Sequence, residues 1–133
     1  MPRSMRAERY IPPELHELEE EVMEELWGSG ESSVRDVMRT LNEQADKPRA
    51  YTTYMTIMSR LDRKGLLARR RAGKTDFYRP VYTRADYADL RAGAEIDSIV
   101  DQFGEVALAH IARQMAQLDA KHRSALERLA RET

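Results

Sequence analysis

Apolar residues in the first half of the chain return at three- and four-residue steps, the period of a helix with one buried face. Leu15, Leu18, Val22 and Leu26, with Met23 beside them, predict a helix over Glu14 to Trp27, which Gly28-Ser29-Gly30 then stops. Val34, Val37, Met38 and Leu41 predict a second helix that frays near Asn42. Ser32 or Ser33 caps it, and Ser33 with Asp36 three residues on resembles a capping box. Lys47-Pro48-Arg49 turns the chain into a third helix, Ala50 to Lys64, anchored to the core by Met55, Met58 and Leu61. A cation followed by glycine, Lys64-Gly65, closes that helix.

Beyond Gly65 the period changes. Leu66 to Arg71 reads as a short strand, Ala72-Gly73-Lys74-Thr75 as a turn, and Asp76 to Tyr82 as a second strand rich in aromatic and β-forming residues. Phe77 and Tyr78 point to opposite faces, so one of them packs on the core. Pro80 fits a strand that lies at an edge or is ending. Three helices followed by a hairpin with a basic tip is the order of a winged helix-turn-helix. The predicted fold class is therefore mainly α with a small β-hairpin wing.

The polar face of the third helix carries Thr52, Thr53, Thr56 and Arg60. Threonine is a mediocre helix former, so three in one helix are not explained by propensity. Short hydroxyls and a long cation suit base edges and phosphates. The net charge of −1 hides a strong polarity. Glu14 to Glu31 holds eight acidic residues and no Lys or Arg, whereas Lys47 to Arg79 holds ten basic residues against Asp62 and Asp76. Phosphate binding responds to this local field and not to the total. The wing cations Arg70, Arg71 and Lys74 are placed to lie along a DNA backbone or enter a minor groove.

The run AYTTYMTIMSRLDRKGLLARRRAGKTDFYRPVY resembles the penicillinase-repressor family, the BlaI/MecI-like winged-helix regulators. LHELEEEVMEELW and SSVRDVMRTL extend the resemblance, which covers residues 14 to 82 well. The family's Tyr-Thr-Thr opening of the recognition helix stands as Tyr51-Thr52-Thr53. Its Arg-Leu-x-x-Lys-Gly close stands as Arg60-Leu61-Asp62-Arg63-Lys64-Gly65, and the Tyr-Arg-Pro ending the wing as Tyr78-Arg79-Pro80. The resemblance implies a homodimeric repressor that binds double-stranded DNA at a palindromic operator. The DNA-binding set is then Arg49, Tyr51, Thr52, Thr53, Thr56, Arg60, Lys64, Arg70, Arg71 and Lys74.

Residues 1 to 13 read as a flexible arm, 14 to 82 as the DNA-binding domain, and 83 to 133 as a helical dimerisation region. In that last region Thr83 with Asp86 starts a helix bearing Tyr87 and Leu90. A longer helical segment carries Ile96, Ile99, Val100, Phe103, Ala107 and Ile111, and a last helix from about Asp119 carries Leu126 and Leu129. One winged helix cannot bury all these stripes, so packing against a second copy makes them the expected dimer interface, the alternative being that they fold back onto the chain's own DNA-binding unit.

Two ways of releasing a repressor in the resembling family have no counterpart here. The Asn-Phe cleavage site is missing, since Asn42 is the only asparagine and Phe103 follows Gln102. Paired cysteines, as in copper-responsive relatives, are excluded because there is no cysteine. A cysteine-free chain without an apolar N-terminal core or a run near the roughly 20 residues of a membrane span fits the cytoplasm and no membrane contact. His16, His110 and His122 are isolated, so neither metal nor cofactor is expected. The carboxylates of the first helix read as a solvated face, and no Ser, His and Asp pattern suggests an enzyme. The alternative is a winged-helix module that docks a protein; the basic wing argues for nucleic acid instead.

Overall fold

The computed structural model describes residues 10–132. Among them, helices α1 (Glu17–Ser29), α2 (Val34–Gln44) and α3 (Tyr51–Arg63) precede a hairpin of β2 (Leu67–Ala72) and β3 (Thr75–Pro80), and strand β1 (Ser32–Ser33) lies between α1 and α2. Helices α4 (Arg84–Phe103), α5 (Glu105–Ala116) and α6 (Ala120–Glu132) complete the chain. The sheet order is β1-β3-β2, antiparallel throughout. The chain divides into two compact units, one extending to Ala92 and one starting at Gly93.

In the first unit, Val22, Met23 and Leu26 of α1 meet Val34 and Val37 of α2 and Tyr54, Ile57, Met58 and Leu61 of α3, with Leu66, Leu67 and Tyr78 from the hairpin. The buried face of α3 thus differs from the predicted one. Met58 and Leu61 are buried, but Met55 is 42% exposed. The reason is Tyr54. Its ring fills the core and its hydroxyl donates to Asn42 Oδ1 at 2.8 Å, which rotates Met55 out to solvent.

Asn42 also holds the turn between α2 and α3. Its Nδ2 donates to the Arg49 carbonyl and its Oδ1 accepts from the Arg49 N–H, both at 3.0 Å. Each of these bonds contributes about 1 kcal/mol when satisfied and costs more when one partner is deleted. Helix α2 is capped as the sequence suggests, the Ser33 hydroxyl accepting from the Asp36 N–H at 3.2 Å. β1, too short to announce itself in sequence, pairs Ser32 with Tyr78 and Ser33 with Phe77.

The solvated-face reading of α1 fails at Glu19, which is 1% exposed. Its Oε1 accepts from the His16 N–H at 3.0 Å and its Oε2 from Lys64 Nζ at 2.7 Å. A buried carboxylate persists only with such partners. Burial pushes its carboxyl up, but the His16 N–H and the Lys64 ammonium outweigh it and hold the group below its ordinary value.

Of the arm expected over residues 1–13, residues 1–9 lie outside the described residues. Tyr10 stacks on Tyr82 with ring centroids 6.4 Å apart, and its hydroxyl donates to the Lys64 carbonyl. Pro12 is buried, and the Pro13 carbonyl accepts from the Tyr87 hydroxyl at 2.8 Å.

In the second unit, the helical segment expected to run through Ile96 and Ile111 is broken at Gly104. Its φ of +61° is a conformation that favours glycine, and it separates α4 from α5. Asp119 Oδ1 accepts from the His122 N–H at 2.9 Å at the start of α6. Ala107 is buried, whereas Ile96, Ile99, Phe103, Ile111, Leu126 and Leu129 are exposed and Val100 is half-buried.

Candidate nucleic-acid interface

The core face of α3 fixes which residues face outward. With Tyr54, Ile57, Met58 and Leu61 buried, Thr52, Thr56, Ser59 and Arg63 follow at four-, three- and four-residue steps along one outward strip. Thr52, Thr53, Thr56 and Arg63 are exposed, and Arg60 is half-buried on the flank. Arg63 was not among the sequence candidates. The spacing from Thr52 could have found it once the buried register was known.

Tyr51 opens α3 and is 40% exposed. The Arg35 guanidinium, from the first turn of α2, lies 5.5 Å from the centre of its ring. Such contacts contribute about 0.5–1 kcal/mol at exposed sites. Arg35 is a second residue that sequence reasoning missed, because its proximity to Tyr51 depends on how α2 crosses α3. Arg49 stands at the turn before α3, half-buried, with its guanidinium 3.7 Å from Glu21 Oε2. Lys64 turns back to Glu19 and ties the end of α3 to α1.

On the hairpin, successive side chains alternate between faces, so Arg70 points away from Arg69 and Arg71. Arg69 and Arg71 flank Asp76 at 3.9 and 3.7 Å. Tyr78, two residues along on that face, enters the core. On the other face Arg70 lies 5.2 Å from the centre of the Phe77 ring and makes a bidentate contact with Glu31 at 2.8 and 3.2 Å. Hydrogen bonding from Arg70 lowers the Glu31 carboxyl. The pair fixes the guanidinium at the edge of the wing, although a contact this exposed adds little stability. Lys74 is exposed in the two-residue turn with Gly73, whose φ is +63°. Among the described residues, no carboxylate lies within ion-pair distance of Arg35, Arg60, Arg63 or Lys74. The acidic charge of α1 is drawn instead to Arg49, Lys64 and Arg84.

A helix-turn-helix followed by a hairpin, with a hydroxyl-bearing helix beside uncompensated cations, defines a winged-helix transcriptional regulator. Comparison with known proteins agrees. The profile of the family described as penicillinase repressor matches residues 15–132, and the chain belongs to that family. It is a regulator and not an enzyme. It is 33% identical over 125 residues to the transcriptional regulator BlaI of Mycobacterium tuberculosis, in both strain CDC 1551 / Oshkosh and strain H37Rv. That similarity covers 81% of this chain and 87% of the relative. The solution structure of the DNA binding domain of the repressor BlaI matches with a TM-score of 0.50 at 26% identity, over 59% of this chain and 93% of that domain. A structure of hsRosR-S4 shares the fold at 16% identity, with a TM-score of 0.53 over 91% of this chain and 90% of its own. No helix among the described residues is long and apolar enough to cross a membrane.

Proposed function

We propose that this protein is a dimeric repressor that binds a palindromic operator, with α3 in the major groove and the β2–β3 wing against the adjacent backbone. One observation carries this reading. The outward face of α3 presents hydroxyls beside cations that no carboxylate of the described residues neutralises. Thr52, Thr53 and Thr56 then meet base edges, and Arg60 meets a phosphate or a guanine. Arg49 and Tyr51 at the head of the helix, with Arg70, Arg71 and Lys74 on the wing, supply the salt-dependent part of affinity. Lys64 acts indirectly, by holding the end of α3 on α1. The kinship with BlaI, a named repressor with a DNA binding domain, supports the same reading.

The dimer rests on the second unit. Ile96, Ile99, Phe103, Ile111, Leu126 and Leu129 are all exposed there, and apolar side chains gathered on a surface mark a protein–protein contact. A self-complementary two-fold interface buries them together with half-buried Val100, whereas Ala107 is already covered within the chain and adds little free surface. The test is selection of duplexes from a randomised pool by the full chain, followed by fluorescence anisotropy across a salt series. The expected motif has two-fold symmetry, with half-sites about 10 base pairs or a multiple apart. Arg60→Ala weakens binding uniformly if Arg60 clamps a phosphate, and relaxes one position if it reads guanine. A pool that yields no enriched motif overturns the reading.

A further inference from the structure

The register of α3 leaves one residue in a place that its chemistry does not explain. Met55 is an unbranched apolar side chain, 42% exposed beside an outward line of Thr52, Thr56, Ser59 and Arg63. Tyr51, one turn earlier, is 40% exposed and leans on the same flank. Together they form a short apolar strip beside the line of Thr52 and Thr56. Neither is needed to complete the core, which Tyr54, Ile57, Met58 and Leu61 close.

We propose that Met55 is a specificity-determining residue that recognises thymine through its C5-methyl group. This rests on the reading that α3 enters the major groove, and it assigns one base to one side chain. Thymine is the only base that presents a methyl group in that groove. A thioether on a flexible stem adapts to such a target better than a stiff branched residue. The Arg35 guanidinium over Tyr51 puts a cation at the strip itself, and Arg63 stands two turns along on the neighbouring outward line, so the strip faces a phosphate backbone and not an apolar peptide. The flanking hydroxyls of Thr52 and Thr56 read polar edges of neighbouring bases, and the strip reads the one apolar mark.

The test uses duplexes enriched from a randomised pool by the full chain. Each thymine of the enriched motif is replaced in turn by deoxyuridine, which deletes the methyl group and nothing else. Wild type, Met55→Ala and Met55→Leu are compared by anisotropy at one salt concentration. For wild type, one thymine per half-site is expected to show a loss of about fourfold on replacement, the factor that one buried methyl group supplies. Met55→Ala binds the thymine duplex more weakly and no longer distinguishes it from the deoxyuridine duplex, whereas Met55→Leu still does. The exposure of Met55 makes both variants compatible with folding, and circular dichroism checks this. An enriched motif whose thymine methyl groups matter equally before and after Met55→Ala, or do not matter at all, overturns the proposal alone. Failure to enrich any motif overturns it together with the DNA-binding reading beneath it.

Discussion

Replacing Lys64 by alanine removes the cation from a carboxylate that is only 1% exposed. An exposed ion pair contributes about 0.2–1 kcal/mol, whereas removing one partner of a buried pair costs about 3–5 kcal/mol. The 2.7 Å contact joins a buried carboxylate to an ammonium on a side chain that is 26% exposed, so the pair lies between these limits. Glu19 also keeps its bond from the His16 N–H. We expect Lys64→Ala to cost about 2–3 kcal/mol, a fall in Tm of roughly 10–20 °C for a domain of this size. Urea and thermal denaturation followed by circular dichroism measure it.

The pH dependence gives an independent check. The Glu19 carboxyl is held below 4.5 in the folded protein, first against burial and then by His16 and Lys64. A lowered folded-state value contributes stability above the unfolded value and loses it as pH falls through the folded one. The gap between wild type and Lys64→Ala is therefore full above about pH 5 and shrinks below pH 4.5. The double variant Glu19→Leu with Lys64→Met, which removes both charges, recovers much of the loss. A cost at pH 7 below about 1 kcal/mol, the range of exposed pairs, or a gap that stays constant to pH 3, refutes the reasoning.

Gly65 has a φ of +80°, and a Cβ there would lie 3.3 Å from the Tyr10 hydroxyl oxygen. Gly65→Ala is expected to lower stability by about 1–2 kcal/mol through the strained backbone, read from the urea midpoint. Arg35→Ala should weaken binding alike for all duplexes and flatten the plot of log affinity against log salt by about 0.9 if its guanidinium meets a phosphate, with Tm lowered by only about 2–8 °C through the lost Tyr51 contact. Phe103→Asp should shift the protein from dimer to monomer in sedimentation velocity, since a charge at that exposed apolar position opposes burial; an unchanged sedimentation coefficient removes Phe103 from the interface.

The one-dimensional pattern was sufficient for the first three helices and the hairpin, though not for β1. Apolar spacing located all three helices, glycine marked the ends of α1 and α3, and the change of period after Gly65 marked the hairpin, because these signals are local. The motifs around Tyr51-Thr52-Thr53 and Arg60 to Gly65 were enough to name the family. Tertiary structure decided what depends on contact between distant residues. Spacing pointed to Met55 as an anchor beside Met58 and Leu61; the buried Tyr54 next to it, bonded to Asn42, takes that place in the core. Six acidic residues looked alike along α1, but only the approach of Lys64, 45 residues away, gives one of them, Glu19, a cation in its buried position. The run Arg69-Arg70-Arg71 reads as one basic patch, yet strand alternation sends Arg70 to Glu31 and its neighbours to Asp76. A sequence states which groups are present and with what period. Which charges are already neutralised, and which side chain is left over for a partner, depends on the fold that brings those groups within a few ångströms.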